Sequence, residues 1–107
     1  MSDQNPPRAY TEFIERYPGL ERAWREINSA GSEGPIDTRA QRLLKLAISI
    51  GAMREGAVRS SVRKAMAMGI PREEIEQVVA LAAGTLGMPS TVAVFTWCQS
   101  VLGADAP

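Results

Sequence analysis

The residues equipped for chemistry lie in one short stretch, Arg54-Glu55-Gly56-Ala57-Val58-Arg59-Ser60-Ser61. On a helix turning by ~100° per residue, Arg54 and Ser61 fall in the arc of the apolar Ala57, Val58, Val62, Ala65, Met66 and Met68. A guanidinium and a hydroxyl on that inward side can hold a carboxylate or phosphate, helped by the free N–H groups where the helix starts. Ser60 adds a second hydroxyl, and Arg59 a second guanidinium, as further ligand contacts. The plainer alternative is that Arg54 reaches outward from the first turn and Ser61 bonds its own backbone. Glu55 also has two readings. It precedes Arg59 by four residues, the favourable order for a helical ion pair, and a paired carboxylate is a poor general acid. Placed beside the inward face, it becomes the best general base the segment offers.

What is absent narrows the chemistry further. The chain has no histidine and one cysteine, Cys98. Imidazole acid–base catalysis, Ser-His-Asp and Cys-His triads and His-ligated metals are excluded. A disulfide framework or a thiolate metal cluster made by one chain is excluded as well. No Gly-rich phosphate loop, metal motif or nucleotide fingerprint is present, so no cofactor is expected. Cys98 reads as a small buried apolar residue, and Trp24 and Trp97 as core or interface residues.

The formal charge is zero, with twelve basic and twelve acidic residues. Along the chain that zero divides unevenly. Residues 1–37 carry four basic and seven acidic groups, residues 38–72 eight and one, and residues 73–107 none and four. The middle of the chain is therefore basic. Either the parts neutralise one another across the fold, or the middle builds an anion-binding surface. The basic segment lacks interleaved aromatics and the total is neutral, so nucleic-acid binding is not expected.

These residues must be positioned by helices, because apolar residues alternate with polar ones over no useful length. Residues 1–6 read as a loose tail, and residues 7–103 as one domain. Tyr10, Phe13, Ile14 and Tyr17 mark a first amphipathic helix, and Leu20, Ala23, Trp24 and Ile27 a second, restarted at Pro18. Ser29 to Pro35 is the one clear loop. Asp37 caps a third helix over about 38–52, and Gly51 marks the junction to a fourth over about 53–68. Gly69 ends that helix, Pro71 opens a fifth, and Gly87 with Pro89 separates a sixth ending near Leu102. The expected fold is all-α, a compact six-helix bundle. Leu43, Leu44, Leu46, Ala47, Ile48 and Ile50 cover more than half of the third helix, leaving Arg42, Lys45 and Ser49. That is more than the ~100° stripe a surface helix needs, and it points to a central helix or a subunit interface. No apolar run approaches the ~18 residues of a membrane span. The start, MSDQNPPRAY, has no basic-then-apolar pattern, so the expected location is cytoplasmic.

Four stretches carry a resemblance: the run Leu46 to Ala52 (LAISIGA), Glu55 to Ile70 (EGAVRSSVRKAMAMGI), Arg72 to Ile75 (REEI) and the Gly87-Met88-Pro89 turn. Over about residues 10–102 the chain resembles the carboxymuconolactone decarboxylase/AhpD-like (alkylhydroperoxidase-like) family. The resemblance implies a small all-α protein assembled as a trimer or hexamer. Peroxidase-type members have a Cys-x-x-Cys pair with a histidine four residues later. Those positions match Arg54, Ala57 and Ser61, all on the inward arc. Other members read EGAVHSH where this chain has Arg59 and Ser61 in place of both histidines, and the decarboxylases also use a histidine in this helix. Of the polar site motif Glu55 remains.

Three readings follow. In the first, the pocket binds a small anionic or polar organic molecule and supports cofactor-free acid–base or decarboxylation chemistry. Glu55 is then the acid or base, Ser61 orients the ligand, and Arg54 holds a carboxylate with Arg59 and Ser60 nearby. In the second, the protein is a non-catalytic oligomeric binding or scaffold protein. In the third, it is a peroxidase-type oxidoreductase using Cys98.

Overall fold

Proline and glycine set most of the boundaries in the computed structural model, which describes residues 7–103. Pro7 precedes helix α1 (Arg8–Arg16), and its carbonyl accepts from the Tyr10 and Thr11 amides. Pro18 opens α2 (Pro18–Ser32). Asp37 caps α3 (Thr38–Gly51), its Oδ1 accepting from the Ala40 amide at 2.7 Å; such a cap is worth about 1 kcal/mol. A two-residue turn follows, with Met53 at φ 55°, and Arg54 is the N-cap of α4 (Glu55–Ala67). Gly69, at φ 79°, closes α4 in the left-handed conformation that glycine adopts without a Cβ penalty. Helix α5 (Arg72–Leu81) carries Glu73 and Glu74 in its first turn, where negative charge suits the dipole.

The helices come in the expected order, with two differences. Helix α2 runs through Ser29, Ala30 and Gly31 to Ser32, so the connection shortens to residues 33–37. One interior glycine costs a helix only about 1 kcal/mol, and the Ser32 hydroxyl donates back to the Asn28 carbonyl at 2.9 Å. Gln41 Nε2 then holds the short loop by donating to the Ser32 and Ile36 carbonyls. The fifth helix is interrupted at Ala82, which sets off a single turn, α6 (Ala83–Leu86), before α7 (Met88–Leu102). The expected tail at residues 1–6 lies outside the described residues.

The core is built by α3, α4, α5 and α7. Leu46 and Ile50 of α3, Val58, Val62 and Ala65 of α4, Ile75 and Val79 of α5, and Val94, Cys98, Val101 and Leu102 of α7 pack together. Each large side chain fully withdrawn from water contributes roughly 1.5–3 kcal/mol. Trp97 packs against this cluster, partly buried. Arg39 bridges α3 to Glu74 of α5. Helices α1 and α2 pack on each other and add no buried residue. Their apolar stripe stays open, with Phe13 48%, Leu20 55%, Trp24 52% and Ile27 62% exposed. The excess apolar surface of the third helix is likewise uncovered, Ile48 being 70% exposed, and Leu81 of α5 is 73% exposed. Among the described residues no helix is long and apolar enough to cross a membrane.

Candidate functional site

Two helix faces meet across a cleft. On α3, Arg42, Lys45 and Ser49 recur at i, i+3 and i+7 and share one face. On α4, Arg54, Ala57, Ser61 and Lys64 recur at i, i+3, i+7 and i+10. These seven residues line one open cleft of about 580 Å³, with Ser60 beside them and Trp24, Asn28 and Ile48 on its apolar and amide margin. The tight turn at Met53 brings Arg54 to the cleft at the head of α4.

The electrostatics are one-sided. Among the described residues, four cationic side chains line the cleft and no carboxylate does. None of the four takes part in an ion pair among the described residues. Arg42 Nη2 donates to the buried Ser61 Oγ at 3.1 Å. Its Nε is buried and has no acceptor among the described residues. A buried donor left unmet costs about 1–3 kcal/mol. Burial also lowers the pKa of Arg42 from the usual arginine value, although a guanidinium stays charged in proteins. Lys64 remains exposed at the cleft. Its pKa is lowered by burial of its stem and then by the charges of Arg42, Lys45 and Arg63. A cavity lined by uncompensated positive charge attracts anions, and low-dielectric walls strengthen the pull.

The residues expected to act together divide between two places. Arg54, Ser60 and Ser61 line the cleft. Glu55 and Arg59 do not. Arg59 Nη2 pairs with Glu55 Oε2 at 2.8 Å, and Arg59 also reaches Ser100 of α7. Glu55 is the first residue of α4, and its carboxylate is held by Arg59 outside the cleft lining. Ala57, expected inward, lines the cleft and is exposed there. The positions that the family resemblance gives to the two cysteines and the histidine, Arg54, Ala57 and Ser61, are all on the cleft wall.

Three cationic residues of the cleft were not singled out for this site from sequence: Arg42, Lys45 and Lys64. Their signal was present in the spacing. Arg42, Lys45 and Ser49 form the polar remainder of an otherwise apolar helix, and Lys64 extends the Arg54–Ala57–Ser61 series by three. Cys98 sits in the core with no exposed surface, and burial pushes its thiol up to about 11. Among the described residues no cluster of acidic, cysteine or histidine side chains could hold a metal ion.

The description of the carboxymuconolactone decarboxylase family fits residues 18–100, from the first residue of α2 into α7. No curated protein and no solved structure matches the chain.

Proposed function

The chain belongs to the carboxymuconolactone decarboxylase family, and from that premise we propose that it binds a small organic anion, a carboxylate, in the cleft between α3 and α4, without thiol redox chemistry. The observation that carries this reading is the four-cation lining with no carboxylate and an Arg42 Nε that lacks an acceptor. In this reading a ligand carboxylate takes hydrogen bonds from Arg42 and Arg54, which the planar guanidinium fork suits. Ser60 and Ser61 orient it, and Trp24 and Ile48 cover the apolar body of the molecule.

Acid–base catalysis by Glu55 is not part of the proposal. Its carboxylate is engaged by Arg59 and lies outside the cleft lining. A peroxidase reaction through Cys98 finds no support either. The thiolate is the reactive species, and a fully buried thiol with a pKa of about 11 supplies little of it near neutral pH. We include self-association, as a trimer or hexamer, in the proposal. The exposed apolar side chains of α1, α2, α3 and α5 favour it, since large uncovered apolar patches mark interaction surfaces.

Calorimetric titration with a small carboxylate tests the binding. Arg42→Ala is expected to weaken it by about tenfold or more, because a charge-assisted hydrogen bond contributes about 1.5–3 kcal/mol. Glu55→Gln is expected to leave it unchanged. Equal binding by the wild type and Arg42→Ala would remove the proposal.

A further inference from the structure

The chain has two lysines, Lys45 and Lys64, and both line the cleft. We propose that Lys64 is a reactive amine that condenses with the carbonyl group of a small oxo acid held in this cleft, forming an imine. This rests on the anion-binding reading above and names the substrate class.

Geometry carries the proposal. Arg42 is fixed on Ser61 by its hydrogen bond at 3.1 Å, and Lys64 follows Ser61 by three residues on the same face of α4. Three residues amount to about 4.5 Å of helix rise. A carboxylate held at Arg42 therefore leaves the next carbons of the molecule alongside Lys64. The flexible four-carbon stem of a lysine covers such a distance. Lys64 has no ion-pair partner among the described residues, so its nitrogen is not committed elsewhere.

The surroundings favour the nucleophilic form. The charged groups acting on Lys64 are Arg42 and Lys45 from α3 and Arg63 from its own helix, all cationic. Partial burial disfavours a proton on the amine, and each of these charges acts in the same direction. Neighbouring cations are one way in which a lysine amine is activated as a nucleophile. Arg42, one of these cations, also holds the acid group of the substrate in the reading above, so one residue serves both tasks.

The step balances without an oxidant, reductant or metal. The unprotonated Lys64 Nζ donates its lone pair to the carbonyl carbon, forming a C–N bond as the C=O π bond opens, and one amine proton passes to the oxygen. In the resulting carbinolamine the nitrogen lone pair forms C=N as the C–O bond breaks, and the second amine proton leaves with the oxygen as water. Amine and ketone become imine and water.

Borohydride reduction of the full chain in the presence of 3-oxobutanoate, followed by peptide mass mapping, tests this. Hydride fixes an imine as a stable secondary amine. One adduct per chain on the peptide carrying Lys64 is expected, with Lys45 labelled no more than in a urea-unfolded control. Acetate, which has the carboxylate without the ketone, is expected to suppress the labelling. Lys64→Arg, which keeps the charge and removes the primary amine, is expected to lose the adduct. Intact acetate binding with no Lys64 adduct above the unfolded control, or with equal labelling of Lys45, overturns the imine and leaves the anion site standing. Absence of both acetate binding and adduct overturns both.

Discussion

The buried hydroxyl of Ser61, at the position that the family resemblance gives to a histidine, accepts from Arg42 across the α3–α4 gap. It serves as an anchor that fixes a guanidinium. Removing the anchor strands a partly buried cation. Ser61→Ala is therefore expected to lower stability by about 1–2 kcal/mol in urea denaturation, with the loss reduced when a small carboxylate is present. Cys98 makes a second prediction at this scale. Its thiol pKa is raised from 9.0 to about 11 by burial, so the folded chain keeps that proton where the unfolded chain releases it. The resulting stability is fully present below pH 9 and is lost as pH rises toward 11, by up to roughly 3 kcal/mol. Cys98→Ala, compared with the wild type in denaturation at pH 8 and pH 11, is expected to lack that fall. In the native protein at neutral pH, a thiol reagent is expected to react with Cys98 only on unfolding.

The helices themselves were legible because their signals are local. Pro18 at the start of α2, Asp37 at the cap of α3 and Gly69 after α4 each act through their own backbone or side chain, and each stands where its type requires. The arc on α4 was legible for the same reason: Val58, Val62 and Ala65 are buried, and Ser61 is buried with them. Two things were not. The end of α2 was hidden by Gly31 and its serines, whose weak preferences are outweighed by continuing the helix to Ser32. The full cleft was hidden because it needs two helices. On α3 alone Arg42 and Lys45 read as the polar remainder of an apolar helix until α4 is laid across them. Glu55 shows the reverse error available to sequence alone, since its membership of a site motif does not choose between the cleft and the ion pair with Arg59.

For the whole molecule, the basic middle of the chain resolves into specific places. Arg39 goes to Glu74 and Arg59 to Glu55, while Arg42, Lys45, Arg54 and Lys64 collect in the cleft with no counter-charge among the described residues. The acidic ends of the sequence therefore neutralise only part of the middle. The apolar surface left open is the other whole-molecule feature. Leu81 and Ile48 stand out from neighbouring helices, and light scattering is expected to give a mass that is a multiple of the 11.6 kDa chain. Leu81→Glu is expected to lower that multiple while leaving the helical circular dichroism intact; an unchanged mass would place the contact elsewhere. The cleft remains the centre of the account, and a calorimetric titration with acetate at low salt tests it most directly. The account predicts saturable binding at one site per chain, weakened about tenfold or more by Arg42→Ala and unaltered by Glu55→Gln. Absence of saturable binding, or binding that Arg42→Ala leaves intact, would contradict it.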